Sequence, residues 1–182
     1  DPARGQIAVD GIDIRDYRLK DYRKALALVL PQSAIFDGTI RENLLYGKPD
    51  ATEERMEEVA RAVGLDDFVK GLKSGYDTRV GTGGLRLSTG IQQKIGVARA
   101  LISEPAILIA DEATASLDPE SAEVVNQAML RAMENKTCII IVNRVLMARS
   151  ADQVVVMRNG EVAEEGDHEK LIAQPGSLYR QM

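Results

Sequence analysis

Cysteine occurs once in the 182 residues, at Cys138, so no disulfide can form within the chain. That residue sits inside the apolar run Thr137 to Val142 and reads as a small buried hydrophobe rather than a nucleophile or metal ligand. Histidine is equally scarce: His168 stands alone near the C-terminus and reads as a surface residue. No apolar stretch approaches the roughly 20 residues of a membrane-spanning helix, and no signal-peptide pattern opens the chain. Basic residues are outnumbered, 23 Lys and Arg against 28 Asp and Glu, for a net charge of -5. Such a balance lacks the general electrostatic footprint of a nucleic-acid or anionic-lipid binder. Glycine-rich phosphate loops are missing as well. No GxxxxGKS or GxxxxGKT pattern occurs, and the cluster GTGG at 81–84 does not fit the dinucleotide fingerprint and makes a weak phosphate cradle.

What is present is ordinary globular composition, 45% hydrophobic and 28% charged, enough for one domain with one sizeable core. The organising stretch runs from Ala106 to Asp118, AILIADEATASLD. Its five consecutive apolar residues, Ala106 to Ala110, fit a strand buried on both faces of a parallel sheet, where helices on both sides leave no polar alternation. Asp111 and Glu112 fall where that strand stops, and open α/β sheets collect their chemistry beyond the carboxyl ends of strands. Successive side chains there point different ways. One acid can hold a metal, directly or through water, while the other faces a reacting water. A plain strand end followed by a helix cap accounts for the same residues, since Asp and Thr both cap well.

Upstream, DPARGQIAVDGIDI opens as if within a longer protein: a turn, a short strand around Gln6 to Val9 and a turn at Asp10-Gly11. Lys24 to Leu30 reads as a second buried strand stopped by Pro31, with Gln32 in the loop beyond it. Ile35 to Tyr46 reads as a helix with Asp37 as its cap, and Thr52 to Val63 as an amphipathic helix ended by Gly64. A short helix over Asp66 to Leu72 follows. Residues 33–86 are thus helical and polar while their flanks alternate strand and helix, which predicts a helical subdomain inserted in an α/β core.

A helix is expected from about Ser88 to Leu101, with Ile91, Ile95, Ala98 and Ile102 at helical spacing. Its N-terminus, fronted by Ser88, Thr89 and Gly90, suits either an anion, through free amides and the macrodipole, or a simple serine cap. Pro119 in a first turn leads into a helix over Glu120 to Glu134, and Thr137 to Val142 is a strand ending at Asn143 and Arg144. Gln153 to Met157 and Glu161 to Glu164 form a hairpin around Asn159-Gly160, and residues 167–182 finish as one or two helices.

Taken in order, several segments carry a resemblance: Pro31-Gln32, IFDGTIRENLLYG at 35–47, GYDTRVG at 75–81, LSTG at 87–90 with ARAL at 98–101, ILIADEAT with SLD, and GEVAEEGDHEKLI at 160–172. They resemble the ATPase domain of the ATP-binding-cassette (ABC) transporters over nearly the whole chain, and ordered motifs at family spacing are far more specific than any one alone. DGTIRENLLYG and GYDTRVG resemble the exporter type, whose cassettes are joined to membrane-spanning helices. The resemblance implies an α/β fold like that of P-loop NTPases. A mostly parallel sheet core, 1–32 and 87–182, would hold an inserted α-helical subdomain, 33–86. It implies an ATP hydrolase at the cytoplasmic face of a membrane, coupled to transport through transmembrane domains of the same or a partner chain. ATP and Mg2+ are the implied cofactors, and nucleic acid is not an implied partner.

Position by position, Gln32 matches the glutamine that senses the metal and γ-phosphate and couples the site to the transmembrane part. Asp111 matches the Walker B aspartate that holds magnesium, and Glu112 the catalytic glutamate that polarises the attacking water. Asp118 matches the aspartate that crosses the dimer interface. Ser88, Thr89 and Gly90 fall in the signature motif, which binds the γ-phosphate of ATP held by the opposite subunit. The family therefore works as a head-to-tail dimer with ATP sandwiched between cassettes.

Departures from the family pattern qualify that picture. The Walker A loop, with its lysine and Ser/Thr, would lie roughly a dozen residues before Asp1, and neither it nor the aromatic that stacks on adenine is in this sequence. The signature usually reads LSGGQ; here Thr89 replaces a glycine, whose absence of Cβ lets phosphate approach, and Ile91 replaces the glutamine. Asn143 stands where a histidine is expected and can donate a hydrogen bond to phosphate but carries no charge. The family's VGERG is Val80 to Gly84 here, without the acid and arginine that face the transmembrane coupling helices. The intact acids favour a hydrolysing exporter cassette. Thr89, Ile91 and Asn143 favour a degenerate cassette acting as a structural or regulatory half, and the exporter-like segments disfavour a soluble cassette of DNA repair or translation. The absent segment would add a strand to the middle of the sheet, so a gap with unpaired backbone groups is expected.

Overall fold

The computed structural model describes residues 2–142 and 148–181, and the chain divides into two compact units, Asp1–Ile140 and Ile141–Met182. The first opens with a tight antiparallel hairpin of β1 (Ala8–Val9) and β2 (Ile12–Asp13). Asp10 and Gly11 both take positive φ, 49° and 78°, as the right-handed twist of a two-residue hairpin requires. Helix α1 (Leu19–Ala25) then runs directly into β3 (Leu26–Val29). The strand expected from Lys24 therefore starts two residues later, because Lys24 and Ala25 finish the last turn of α1.

A two-stranded ribbon, β4 (Gly38–Thr39) with β5 (Arg79–Val80), brackets three helices: α2 (Ile40–Leu45), α3 (Glu53–Ala62) and α4 (Asp66–Lys70). The cap of α2 is Thr39, not Asp37. Thr39 and Glu42 form a reciprocal capping box, Glu42 N donating to Thr39 Oγ1 at 3.1 Å and Thr39 N to Glu42 Oε2 at 2.7 Å. Asp37 is drawn elsewhere: its Oδ1 accepts from the amide of Thr82, tying the start of α2 to the glycine loop. Gly64 closes α3 at φ 68°, with Leu65 N donating back to Ala60 O at 2.9 Å.

The hub of this unit is α5 (Thr89–Ile102), which packs on β3, α2, α3 and α6 (Pro119–Ala132). Eight of its fourteen residues are buried, as befits a helix surrounded by its neighbours. Strand β6 (Ile107–Asp111) is the middle strand of a three-stranded sheet, between β3 and β7 (Thr137–Ile141). β3 and β6 are parallel, in the register Ala27↔Leu108 and Val29↔Ala110. Those four residues are all buried in the core.

The opposite sheet face corrects the expectation of a strand buried on both sides. Ile107 and Ile109 are only half-buried, their neighbour Leu28 is 51% exposed and Ile139 of β7 is 50% exposed. Among the described residues the buried cluster lies on the Leu108 and Ala110 side, and Leu28 and Ile139 of the other side are half exposed. Cys138 fits its expectation in part: it is half-buried against the core, and burial raises its thiol pKa.

The second unit is a hairpin of β8 (Val154–Arg158) and β9 (Glu161–Gly166), turned at Asn159 and Gly160 with φ 53° and 82°. Helix α7 (His168–Ala173), capped by Asp167, and a final turn at Tyr179–Gln181 complete it. His168 is more than a surface residue, since its Nδ1 lies 2.8 Å from the hydroxyl of the buried Tyr179. Glu164 gathers the C-terminal segment, accepting from Leu178 N at 2.7 Å, Ser177 Oγ at 2.8 Å and Tyr179 N at 3.1 Å. Those donors, the Leu178 amide first, lower its pKa from the usual 4.5. A depressed carboxylate stabilises the fold above its unfolded-state pKa, and that stabilisation is lost as pH falls through the folded value. Protection of the Leu178 and Tyr179 amides is accordingly expected to fall as pH drops below 4.5 in the native chain, and to be low and insensitive to pH in Glu164→Gln. Amide exchange followed by NMR across that window checks it.

Candidate functional site

The parallel register of β3 and β6 decides where the polar residues gather. Val29 pairs with Ala110, so Gln32 and the pair Asp111-Glu112 both lie just past the same carboxyl end of adjacent strands. Asp111 is the last residue of β6 and is half-buried. Glu112 follows with φ 44°, a left-handed conformation uncommon for a non-glycine residue, which redirects the chain at once. The turn is pinned by Ala115 N donating to Glu112 O at 3.0 Å and Leu117 N to Thr114 O at 3.1 Å. Strained backbone of this kind concentrates at functional positions, where surrounding structure holds it.

Asp118 ends the loop as the N-cap of α6, accepting from Ser121 N at 2.9 Å. That backbone hydrogen bond, with the Ser121 hydroxyl and the charge of Lys94, lowers its pKa. Asp118 is therefore both a cap and an exposed, firmly ionised group.

Helix α5 begins one residue after Ser88, whose Oγ accepts from Ile91 N at 3.3 Å. Ser88 and Thr89 are exposed and Gly90 half-buried, so the first amides of a fourteen-residue helix are open to an anion while the serine also serves as cap. A Cβ on Gly90 would touch Leu117 Cδ2 at 3.4 Å and Ser116 O at 3.7 Å, which places the loop after the acids against the first turn of α5. Ile91, in the place of the family's glutamine, packs against the core. The structure thus brings Gln32, Asp111 and Glu112 to one sheet end, and Gly90 beside the loop that leads to Asp118. Asn143 lies outside the described residues.

No group of three or more His, Cys, Asp or Glu side chains that would hold a metal occurs among the described residues. The donors present, the Asp111 carboxylate and the Gln32 amide oxygen, are hard oxygen ligands. They suit an ion such as Mg2+ that takes one or two protein oxygens and fills its shell with phosphates and water. Next to Gln32 a cleft of about 730 Å3 is lined by Ser33, Thr82, Leu85, Arg86 and Gln92. Its rim includes the glycine loop that Asp37 clasps. Composition and spacing had not marked Asp37 for this contact, because its partner is 45 residues away.

A middle strand ending in two acids, a glutamine loop on the neighbouring parallel strand and an open helix N-terminus define a protein of the α/β nucleotide-binding class. The family model for ABC transporters matches residues 1–115. Over 177 residues the chain is 43% identical to ABC transporter B family member 19 of Arabidopsis thaliana, covering 97% of this chain and 14% of that protein. It is 43% identical over 180 residues to the ATP-dependent lipid A-core flippase of Syntrophus aciditrophicus (strain SB), covering 99% of this chain and 30% of that protein. A solved bacterial Atm1-family ABC exporter with ATP bound matches at a TM-score of 0.93 and 34% identity, over 100% of this chain and 32% of that one. The chain belongs to the ABC transporter family, with the fold of an exporter nucleotide-binding domain. It spans less than a third of the length of these relatives.

Proposed function

We propose that this chain is part of an exporter ATPase domain in which ATP binding and hydrolysis drive transport through membrane-spanning domains at whose cytoplasmic face it sits. The observation that supports the reading is the shared strand end: β3 and β6 run parallel to the pair Val29 and Ala110, and Gln32 and Asp111-Glu112 both follow that end. In this reading Asp111 and Gln32 hold Mg2+, which neutralises phosphate charge when bound. Glu112 orients and polarises water, and Asn143 donates a hydrogen bond toward the γ-phosphate. Ser88, Thr89 and Gly90 offer amides and hydroxyls to the ATP of a second, head-to-tail cassette, and Asp118 reaches across that interface. Residues 1–32 and 87–182 form the α/β core and 33–86 the helical subdomain. The uncharged loop 81–84 and the cleft at Gln32 face the coupling helices of the transmembrane domains.

No helix among the described residues is long and apolar enough to cross a membrane. Relatives include a flippase and a multidrug resistance protein, and cargo choice in this reading lies with the spanning helices. The degenerate, non-hydrolysing alternative draws no support from the relatives.

The test is Mg2+-dependent ATP turnover by the full-length transporter in lipid vesicles. Restoring the signature with Thr89→Gly and Ile91→Gln is expected to raise the rate several-fold, since it removes the branched side chain from a phosphate contact. An absence of turnover in both the native and restored proteins would sink the reading.

A further inference from the structure

Three residues of α5, spaced at three-residue intervals along one face, grip the loop that carries Gln32 from both sides. Gln93 is 1% exposed, and its Nε2 donates to Leu30 O at 2.9 Å, two positions before Gln32. At Gly96 a Cβ would overlap Oγ of Ser33, the residue after Gln32. Arg99 donates through both terminal nitrogens to Ala34 O, at 3.1 and 3.2 Å, two positions beyond. The guanidinium is itself fixed: Nε donates to Asn43 O at 2.8 Å, and Cζ lies 5.0 Å from the Phe36 ring centre. Phe36 in turn stacks on Tyr46 at 4.2 Å.

These contacts are more than core packing. Burying an amide is costly unless it is hydrogen-bonded, and the neighbours Ile95, Val97, Ala98, Leu101 and Ile102 show that apolar residues fill this helix readily. A polar group at 93 is explained by what it holds. The pairing of β3 with β6 ends at Val29, and Pro31 has no N–H to offer a turn, so the carbonyls of Leu30 and Ala34 take their donors from α5. Gln32, between them, is exposed.

We propose that Gln93, Gly96 and Arg99 are positioning residues that set the place of Gln32, so that the tilt of α5 is passed directly to Gln32. This rests on the reading of the chain as an exporter ATPase domain. The first turn of α5 carries Ser88 to Gly90, which face a partner cassette, whereas Gln32 serves the chain's own site. One rigid helix therefore ties the contact made with the partner to the metal-sensing group of the other site.

The experiment uses the full-length transporter in vesicles with two readouts. For Gln93→Met, which keeps length and loses the donor, kcat for ATP is expected to fall about tenfold while KM changes less than about twofold. In a Gln32→Ala background the same change is expected to cost nothing further, because residues acting through one another are non-additive. Hydrogen exchange of the peptide over residues 31–36 is expected to quicken about tenfold in Gln93→Met and in Gly96→Ala, with exchange along α5 no faster than in the native protein. Gly96→Ala introduces a better helix former and serves if Gln93→Met fails to fold. An equal loss of kcat in both backgrounds, or unchanged exchange over 31–36, overturns the proposal. A native protein without ATP turnover would instead defeat the exporter reading, and the exchange data would still decide whether α5 positions this loop.

Discussion

Glu112→Gln in the full-length transporter is expected to lower Mg2+-dependent ATP turnover by about 10²- to 10⁴-fold, the range general-base groups supply. The substitution keeps the shape of the side chain and its ability to accept a hydrogen bond, and removes the charge that the proposed role assigns to polarising water. The backbone turn itself is expected to persist, because main-chain bonds that the amide leaves intact fix it. Steady-state hydrolysis paired with thermal unfolding separates the two. A loss smaller than threefold would remove Glu112 from the chemistry and leave it a turn residue. The 182-residue chain by itself is expected to show no hydrolysis, since it contains no lysine-bearing phosphate loop.

The second large effect concerns the uncovered face of the sheet. Leu28, Leu30 and Ile139 are each about half exposed. Full burial of such side chains contributes about 1.5 to 3 kcal/mol each, so covering what these three leave open is worth roughly 2 to 4 kcal/mol. Net stabilities of domains are only about 5 to 15 kcal/mol. The chain expressed alone is therefore expected to bind a hydrophobic dye and to self-associate at micromolar concentration. β3 and β7, the outer strands of the three-stranded sheet, add edges that can pair with other chains. Leu28→Ser with Ile139→Thr is expected to reduce both dye binding and association. Light scattering and dye titration check this, and a monodisperse, dye-silent native chain would contradict it.

Local signals carried most of the fold. The apolar run before Asp111, the serine ahead of α5, the glycine after α3 and the Asn-Gly hairpin each specify an element within a few residues, and each is where it was expected. The bare sheet face was not legible, because a continuous apolar run looks the same whether its cover comes from this chain or from another segment. Asp37 and Thr39 are both good caps, and the capping-box partner Glu42 distinguishes them locally. What draws Asp37 away is an amide 45 residues distant. The same holds for Gln93, whose acceptor lies 63 residues upstream. Such contacts leave no periodic trace, so the acids and the glutamine of the candidate site were visible as motifs while the residues that hold the glutamine's loop were not.

The backbone and the side chain at position 112 favour different residues. With φ at 44°, glycine would relieve the turn, and in the proposed role of Glu112 the carboxylate is what that relief would cost. A search for stabilised variants of this cassette would accordingly drift toward glycine at 112 and discard activity as it did so. If Glu112 has its proposed role, position 112 is a place where selection for robustness and selection for turnover pull in opposite directions. A library screened on thermal stability alone would reveal it by the loss of the acid.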